Sequence, residues 1–309
     1  MEIVQLPQAP FGVPRDGRGR PLIVPKTGGK PVAYTRTTTF IDCIDDKSNL
    51  NTWDKRMVLI GVAKRPELLD GVLGLDYDDP VEKRWLNARA EQAKDASGAN
   101  DKREQGTHLH ALTEAVDAGV ALPESTPAAD VADMASYMIE TVDFTVLHVE
   151  RLVVVNELRV AGTPDRISYY EGPGPTGRLV SGNYITDLKT GSVERGALKM
   201  AMQLAIYSRG EFYDHTLFPV DVDDKKAFIA WKKYEVPAEM AAAAYAPQDV
   251  PVNQRWGIIM NLPAGSGECT LFWVDLSIGW KLAKLALRIR AARSTKKAML
   301  PFYVAPVKV

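Results

Sequence analysis

The chain has 309 residues, 46% of them hydrophobic and 25% charged, and a formal net charge of −1, a mix that suits one large globular domain or two small ones. The balanced charge excludes a global positive field that would gather nucleic acid, so any such binding has to come from local patches. Two cysteines, Cys43 and Cys269, exclude a disulfide framework and a four-cysteine iron–sulfur cluster, and both are expected as reduced thiols.

There is no run of about 18 apolar residues and no charged-then-apolar leader, so no membrane partner is expected and the expected location is cytoplasmic. Gly28-Gly29-Lys30 is followed by Pro31; it lacks the spacing of a phosphate-cradling loop, and no ATP-driven motor is expected.

Residues 1–33 are dense in proline (7, 10, 14, 21, 25, 31) and glycine (12, 17, 19, 28, 29). That mix predicts an extended arm, with residues 34–309 as a single domain. Tyr34 to Ile44 reads as an extended segment, since Thr37-Thr38-Thr39-Phe40-Ile41 is rich in strand formers. A helix is predicted from Ser48 to Lys64, with Leu50, Trp53, Met57 and Ile60 as its buried stripe. Asp79-Pro80 is a cap followed by a first-turn proline, and it opens a helix that ends at Gly98. Gly106-Thr107 opens the next, with Thr107 as cap and Gly119 as stop. His108 and His110 must face different ways on it, whereas His110 and Glu114 share a face.

Ala129 to Val149 reads as one long helix. Strands follow from Arg151 to Val160, then Gly162-Thr163-Pro164-Asp165. Glu171 to Gly177 is a hairpin loop, and Arg178 to Lys189 is the return strand. Consecutive strands joined in this way are antiparallel neighbours, which brings Asp165 toward Asp187. A helix from Glu194 to Arg209 carries Lys199, Gln203 and Tyr207 at four-residue steps, with Met202, Leu204 and Ile206 packed. Three strands are predicted next: Ala227 to Val236, Arg255 to Leu262, and Glu268 to Leu276. The last helix, Ser277 to Ala298, has an apolar stripe of Leu282, Leu285 and Ile289. Its cations are Lys281, Lys284, Arg288, Arg290, Arg293, Lys296 and Lys297, which suit a phosphate backbone or a solvated face equally.

The stretch that carries chemistry is Tyr184 to Gly191. Strand side chains alternate, so Asp187 and Lys189 point one way and Leu188 the other. Alone, such a pair reads as a surface salt bridge worth about 0–1 kcal/mol. With His110 and Asp165 it becomes a nest for Mg²⁺ or Mn²⁺. Magnesium prefers oxygen ligands, and an imidazole tilts the choice toward manganese. The main-chain carbonyl of Leu188 is a further candidate ligand. Lys189 would orient or deprotonate a water, or neutralise developing charge. Arg36 and the neighbouring threonine hydroxyls could touch a phosphate.

The order Gly106-Thr107-x-x-His110, Gly162-Thr163-Pro164-Asp165, Asp187-Leu188-Lys189-Thr190-Gly191 and Gln203-x-x-x-Tyr207 resembles the RecB-type branch of the PD-(D/E)XK nuclease superfamily. The match spans residues 106–207. Thr37-Thr38 with Leu50-x-x-Trp53, and Trp256-Gly257-Ile258-Ile259, are similar to phage-encoded relatives. The resemblance implies an α/β fold with a mixed central sheet flanked by helices, a restriction-endonuclease-like core with helical N-terminal additions. It implies metal-dependent hydrolysis of DNA in recombination, repair or end processing, with an exonuclease favoured. It also implies roles: His110, Asp165 and Asp187 as metal ligands, Lys189 as catalytic lysine, and Glu114, Gln203 and Tyr207 lining the site. Arg36, Lys199, Lys281, Lys284 and Arg288 are the expected DNA contacts. DNA is the expected partner; a single-strand annealing or recombination protein, or a second copy of the chain, is admitted beside it. A non-catalytic DNA-binding or assembly protein on the same fold, and a structure-specific endonuclease, are the competing readings.

Overall fold

A computed structural model describes residues 12–194, 196–248 and 251–295. Strands β1 (Leu22–Ile23) and β2 (Val32–Ala33) form a small hairpin, and β3 (Thr35–Arg36) leads into helix α1 (Thr37–Ile41). Helices α2 (Ser48–Lys64), α3 (Pro80–Ser97), α4 (Asp101–Asp117) and α5 (Ala128–Glu140) follow. Next come β4 (Phe144–Val149), β5 (Val153–Val155), β6 (Val160–Gly162), β7 (Arg166–Pro173), β8 (Leu179–Lys189) and helix α6 (Ala197–Tyr207). The chain continues through β9 (Glu211–Tyr213), α7 (Lys225–Trp231), α8 (Ala238–Ala243), β10 (Tyr245–Ala246), β11 (Trp256–Asn261), β12 (Thr270–Asp275) and α9 (Leu276–Arg293).

The architecture is mixed α/β, with two five-stranded sheets where the sequence suggested one. The main sheet runs β12-β11-β8-β7-β4, and the second runs β10-β9-β5-β6-β3. Each is mixed by virtue of a single parallel pair, β11 with β8 and β3 with β6. Helices α4 and α5 cover one face of the main sheet, where Leu109, Met134 and Tyr137 pack with Leu188 and Met260. Helix α6 lies on the other face, its Leu204 and Ala205 against Ile167, Ile185 and Ile259. The opposite side of α6 meets the second sheet and α9, where Met202 and Ile206 join Val155, Val160, Ala283 and Ala286. A helix covered on all sides has to be apolar all round, and α6 is so except at Lys199, Gln203 and Tyr207.

The α6–α9 contact rests on small residues. A Cβ added at Gly279 would lie 2.0 Å from the carbonyl oxygen of Ala201, so the two backbones approach as only glycine permits. The buried stripe of α9 is therefore Leu276, Gly279, Ala283 and Ala286; Leu285 of the expected stripe is 45% exposed. Helix α2 departs in the same way, burying Gly61 while Leu50 and Ile60 stay exposed.

Other expectations meet mixed outcomes. Asp79 caps α3 by accepting from the amides of Val81 and Glu82, as its sequence predicts. The predicted helix 129–149 breaks instead: Thr141 Oγ1 bonds back to the Tyr137 carbonyl, and the β-branched and aromatic residues beyond form β4. The predicted strand 227–236 begins as helix α7, capped by Asp224 on the amides of Lys226 and Ala227. Thr37 to Ile41 is helical because that turn buries Phe40 and Ile41, which overrides strand propensity. Helix α4 starts at Asp101, so Thr107 is interior and bonds to the Arg103 carbonyl. Lys296 and Lys297 lie outside the described residues.

Within the expected arm, Leu22, Ile23 and Val24 are buried. Tyr213 Oη accepts from the Val24 amide and Tyr245 Oη donates to the Val24 carbonyl, so this stretch is a packed element.

His215 supplies a stability test. It is buried beside Tyr213, Phe218 and Trp231, and burial pushes its pKa down to about 4. The unfolded chain then binds the proton more readily, so the stabilisation is complete above about pH 6.5 and is lost as pH falls toward 4. The loss should be at most roughly 3 kcal/mol. Urea midpoints at pH 7 and pH 4.5 should show a steeper acid loss for the wild type than for His215→Phe; equal slopes would remove His215 from the account.

Candidate active site

The register of β7 and β8 builds the site. Arg166 pairs with Thr186 in an antiparallel ladder, so the next position brings Asp165 opposite Asp187. Asp165 Oδ2 accepts from the Leu188 amide at 2.9 Å. Leu188 thus meets the site through its N–H as well as lying between Asp187 and Lys189. Asp187 is 1% exposed. Its Oδ1 accepts from Gln203 Nε2 at 3.2 Å, and Lys189 Nζ forms an ion pair with Oδ2. This ammonium is the cation that compensates the buried carboxylate.

Helix α4 supplies the third side. Gly106 lets it cross the turn after β8, where an added Cβ would stand 2.8 Å from Thr190 Oγ1. One stripe of α4 then faces the start of β7: His110, Thr113, Glu114 and Asp117, spaced at 3, 4 and 7 residues from the first. His110 Nδ1 lies 3.6 Å from Asp165 Oδ2. One residue along β7, Arg166 is fully buried; it donates through Nη2 to Thr113 Oγ1 at 2.8 Å and pairs through Nε with Asp117. Thr113 Oγ1 donates in turn to the His110 carbonyl at 2.9 Å, and Tyr137 Oη donates to Asp117 at 2.9 Å. His108 points away, to Asp130 at 2.9 Å, as two residues two apart on a helix must.

The electrostatics follow from burial and proximity. Burial, and then the adjacent Asp165 carboxylate, push the Asp187 carboxyl well above the usual carboxylate range, while Lys189 pulls it back. Burial lowers the His110 pKa, with Arg166 and Lys189 adding to the fall and Asp165 opposing it, so its ring is held neutral and able to ligate. Glu114 is raised by burial and then by Glu150. Burial also raises the Tyr207 phenol.

Among the described residues, no three His, Cys, Asp or Glu side chains form a closed metal nest. The donor set nonetheless suits a hard divalent ion: two opposed carboxylates, with an imidazole whose proton affinity burial lowers beside them. Of the expected DNA contacts, Arg36, Lys281, Lys284 and Arg288 are exposed. Lys199 is spent on Asp42 and Asp45, at 2.5 and 3.1 Å.

Four residues of this region escaped the sequence reading. Thr113 and Asp117 continue the His110–Glu114 stripe by one turn, a signal that was present. Arg166 gave none, because an arginine after an aspartate on a strand reads as exposed. Glu150 gave none either; it takes φ 44° and donates its amide to the Asp165 carbonyl at 3.1 Å. No protein-family model matches the sequence, and a search of curated proteins finds no match.

The buried pair beneath the site is testable. Asp117→Asn strands the Arg166 guanidinium without a counter-charge and should cost about 3–5 kcal/mol. The double change Asp117→Leu with Arg166→Met should recover most of that loss in chemical denaturation. A single-variant cost below about 1 kcal/mol would show that the pair does not hold α4 to β7.

Proposed function

We propose that the protein is a metal-dependent DNA nuclease that hydrolyses phosphodiester bonds, acting as an exonuclease in recombination, repair or end processing. The observation that carries this reading is the meeting of Asp165, Asp187 and Lys189 at one end of β7 and β8 with His110 from α4. The motif order shared with RecB-type PD-(D/E)XK nucleases supports it, with the main sheet and helices α4, α5 and α6 as the corresponding core.

Asp165, Asp187 and His110 would hold Mg²⁺ or Mn²⁺. When bound, the ion supplies a Lewis acid for the phosphoryl oxygens and an acidified water. The chain's own residues do the rest. Gln203 fixes one Asp187 oxygen, so the carboxylate keeps its orientation as charge changes beside it. The Leu188 amide does the same for Asp165. Lys189, which stands beside Asp187, would hold the attacking water and offset charge on the phosphate. Arg36 and the α9 cations Lys281, Lys284 and Arg288 offer phosphate contacts worth most at low salt. The Lys189–Asp187 ion pair itself favours a second reading, a DNA-binding or assembly protein in which the lysine only neutralises the aspartate.

End-labelled linear duplex and a covalently closed circle, each with Mg²⁺, Mn²⁺ or EDTA, separate these readings. The wild type should degrade linear DNA only with metal and spare the circle. Lys189→Ala should lose about 10²–10⁴-fold in rate yet stay folded, because Asp187 takes up a proton once its counter-charge is gone. Undiminished cleavage by Lys189→Ala would refute its role. Binding without products would give the second reading, and a cut circle would make the enzyme an endonuclease.

A further inference from the structure

Helix α6 carries Gln203 and Tyr207 one turn apart on one face. Gln203 Nε2 gives one of its two hydrogens to Asp187 Oδ1 at 3.2 Å. Tyr207 lies deeper and is 3% exposed. Two polar groups meet its phenol oxygen, Gln203 on the side of the site and Thr37 on the side of the second sheet. Thr37 is the first residue of α1 and is 2% exposed. Its hydroxyl is buried and, among the described residues, otherwise unpartnered. The parallel pairing of Arg36 with Ala161 sets Thr37 beside Gly162. A Cβ added at Gly162 would lie 2.7 Å from Thr37 Oγ1 and 3.1 Å from Tyr207 Oη, so a bare Cα there is what lets the two oxygens converge.

A primary amide has a donor end and an acceptor end of nearly the same shape, and its partners decide which end faces a given neighbour. A phenol has one hydrogen to donate and lone pairs besides. With that hydrogen given to Thr37 Oγ1, Tyr207 offers Gln203 lone pairs alone. The amide then meets both neighbours through nitrogen, one N–H on Tyr207 and the other on Asp187. Remove the Thr37 hydroxyl, and of the two groups that meet the phenol only the Gln203 carbonyl is left to accept its hydrogen. Leaving a buried hydroxyl unpaired is costly. Pairing it with that carbonyl turns the amide over and takes the N–H away from Asp187.

We propose that Thr37 is a positioning residue for Asp187: it accepts the Tyr207 hydrogen and so keeps the Gln203 nitrogen toward the carboxylate. Thr37 touches neither Asp187 nor DNA. The sequence offered its hydroxyl to a phosphate, but its burial turns it inward and leaves that contact to the exposed Arg36 beside it. The junction of β3 and α1, which belongs to the second sheet, thereby fixes a carboxylate of the main sheet. The consequence for catalysis rests on the nuclease reading; the orientation of the amide does not.

Side-chain amide exchange, followed by NMR in metal-free isotope-labelled protein, tests the orientation without any cleavage. The Gln203 resonance, identified by its absence in Gln203→Leu, should exchange slowly in the wild type. Thr37→Val removes the hydroxyl at nearly constant shape and should speed that exchange by roughly tenfold, whereas Thr37→Ser should keep it slow. Cleavage of linear duplex with Mn²⁺ is the second arm. There Thr37→Val should lower kcat by about tenfold or more with KM for DNA unchanged, and Thr37→Ser should restore kcat. Arg36→Ala should instead raise KM. Thr37→Val combined with Tyr207→Phe should fall no further than either change alone, because both break one link. If Thr37→Val does not fold, Tyr207→Phe breaks that link from the other side and carries the same expectation in both arms. Wild-type exchange of the Gln203 amide in these variants, or losses of kcat that multiply in the double variant, would overturn the proposal. A wild type that cleaves nothing while the amide responds as expected would overturn the nuclease reading and uphold the positioning role.

Discussion

The antiparallel register of β7 and β8 is the constraint on which the rest of the structure depends. With Arg166 set against Thr186, alternation sends Asp165 and Asp187 to one face and Arg166 and Thr186 to the other. Two demands then fall on neighbouring residues of one strand. Asp165 needs partners that tolerate a second carboxylate beside it, and Arg166 needs an anion in a place without water. Helix α4 answers both with successive turns of one stripe, His110 to the first and Thr113 with Asp117 to the second. A slip of one residue would flip β7 alone, turning Asp165 under α4 and the Arg166 guanidinium toward α6 while Asp187 kept its face, so the two carboxylates would part.

Helix α6 closes the other side, and its composition explains why. It is pressed between both sheets and α9, so almost every position must be apolar. Gln203 survives there because it has one task, to bond Asp187. The carboxylate it holds is in an unfavourable place: buried, next to another carboxylate, and compensated chiefly by Lys189. Such an arrangement lowers stability on its own account, which natural chains accept mainly at functional positions.

Much of this was legible in the sequence. Strand alternation gave the common face of Asp187 and Lys189, hairpin logic brought Asp165 to Asp187, and helix spacing separated His108 from His110, while Gln203 was placed at the site by the family resemblance alone. These are short-range rules, and the structure places the residues accordingly. The misreadings do not share one cause. Thr37 to Ile41 and the start of residues 227–236 were judged on intrinsic preference, and burial of Phe40 and Ile41 and the Asp224 cap decided them instead, whereas residues 141–149 were read as helix against their own strand preference, which their pairing with β7 follows. The stripes of α2 and α9 were misjudged because large residues were taken to mark the core, when close helix contact selects glycine and alanine.

The contact least legible of all is Arg166 with Asp117, 49 positions apart. Nothing local distinguishes a buried arginine from an exposed one, since its burial is decided by whether a distant anion arrives at the same depth. Its effect, however, is local to the site. The guanidinium lowers the tendency of both His110 and Asp187 to hold a proton, so it biases the imidazole toward its neutral form and the carboxyl toward its charged form. Those are the forms a divalent cation needs. A buried ion pair of this sort gives little net stability compared with an apolar substitute. Beneath the two carboxylates the pair therefore adds a small electrostatic bias to a site whose charge state is set first by burial and by the opposed carboxylates.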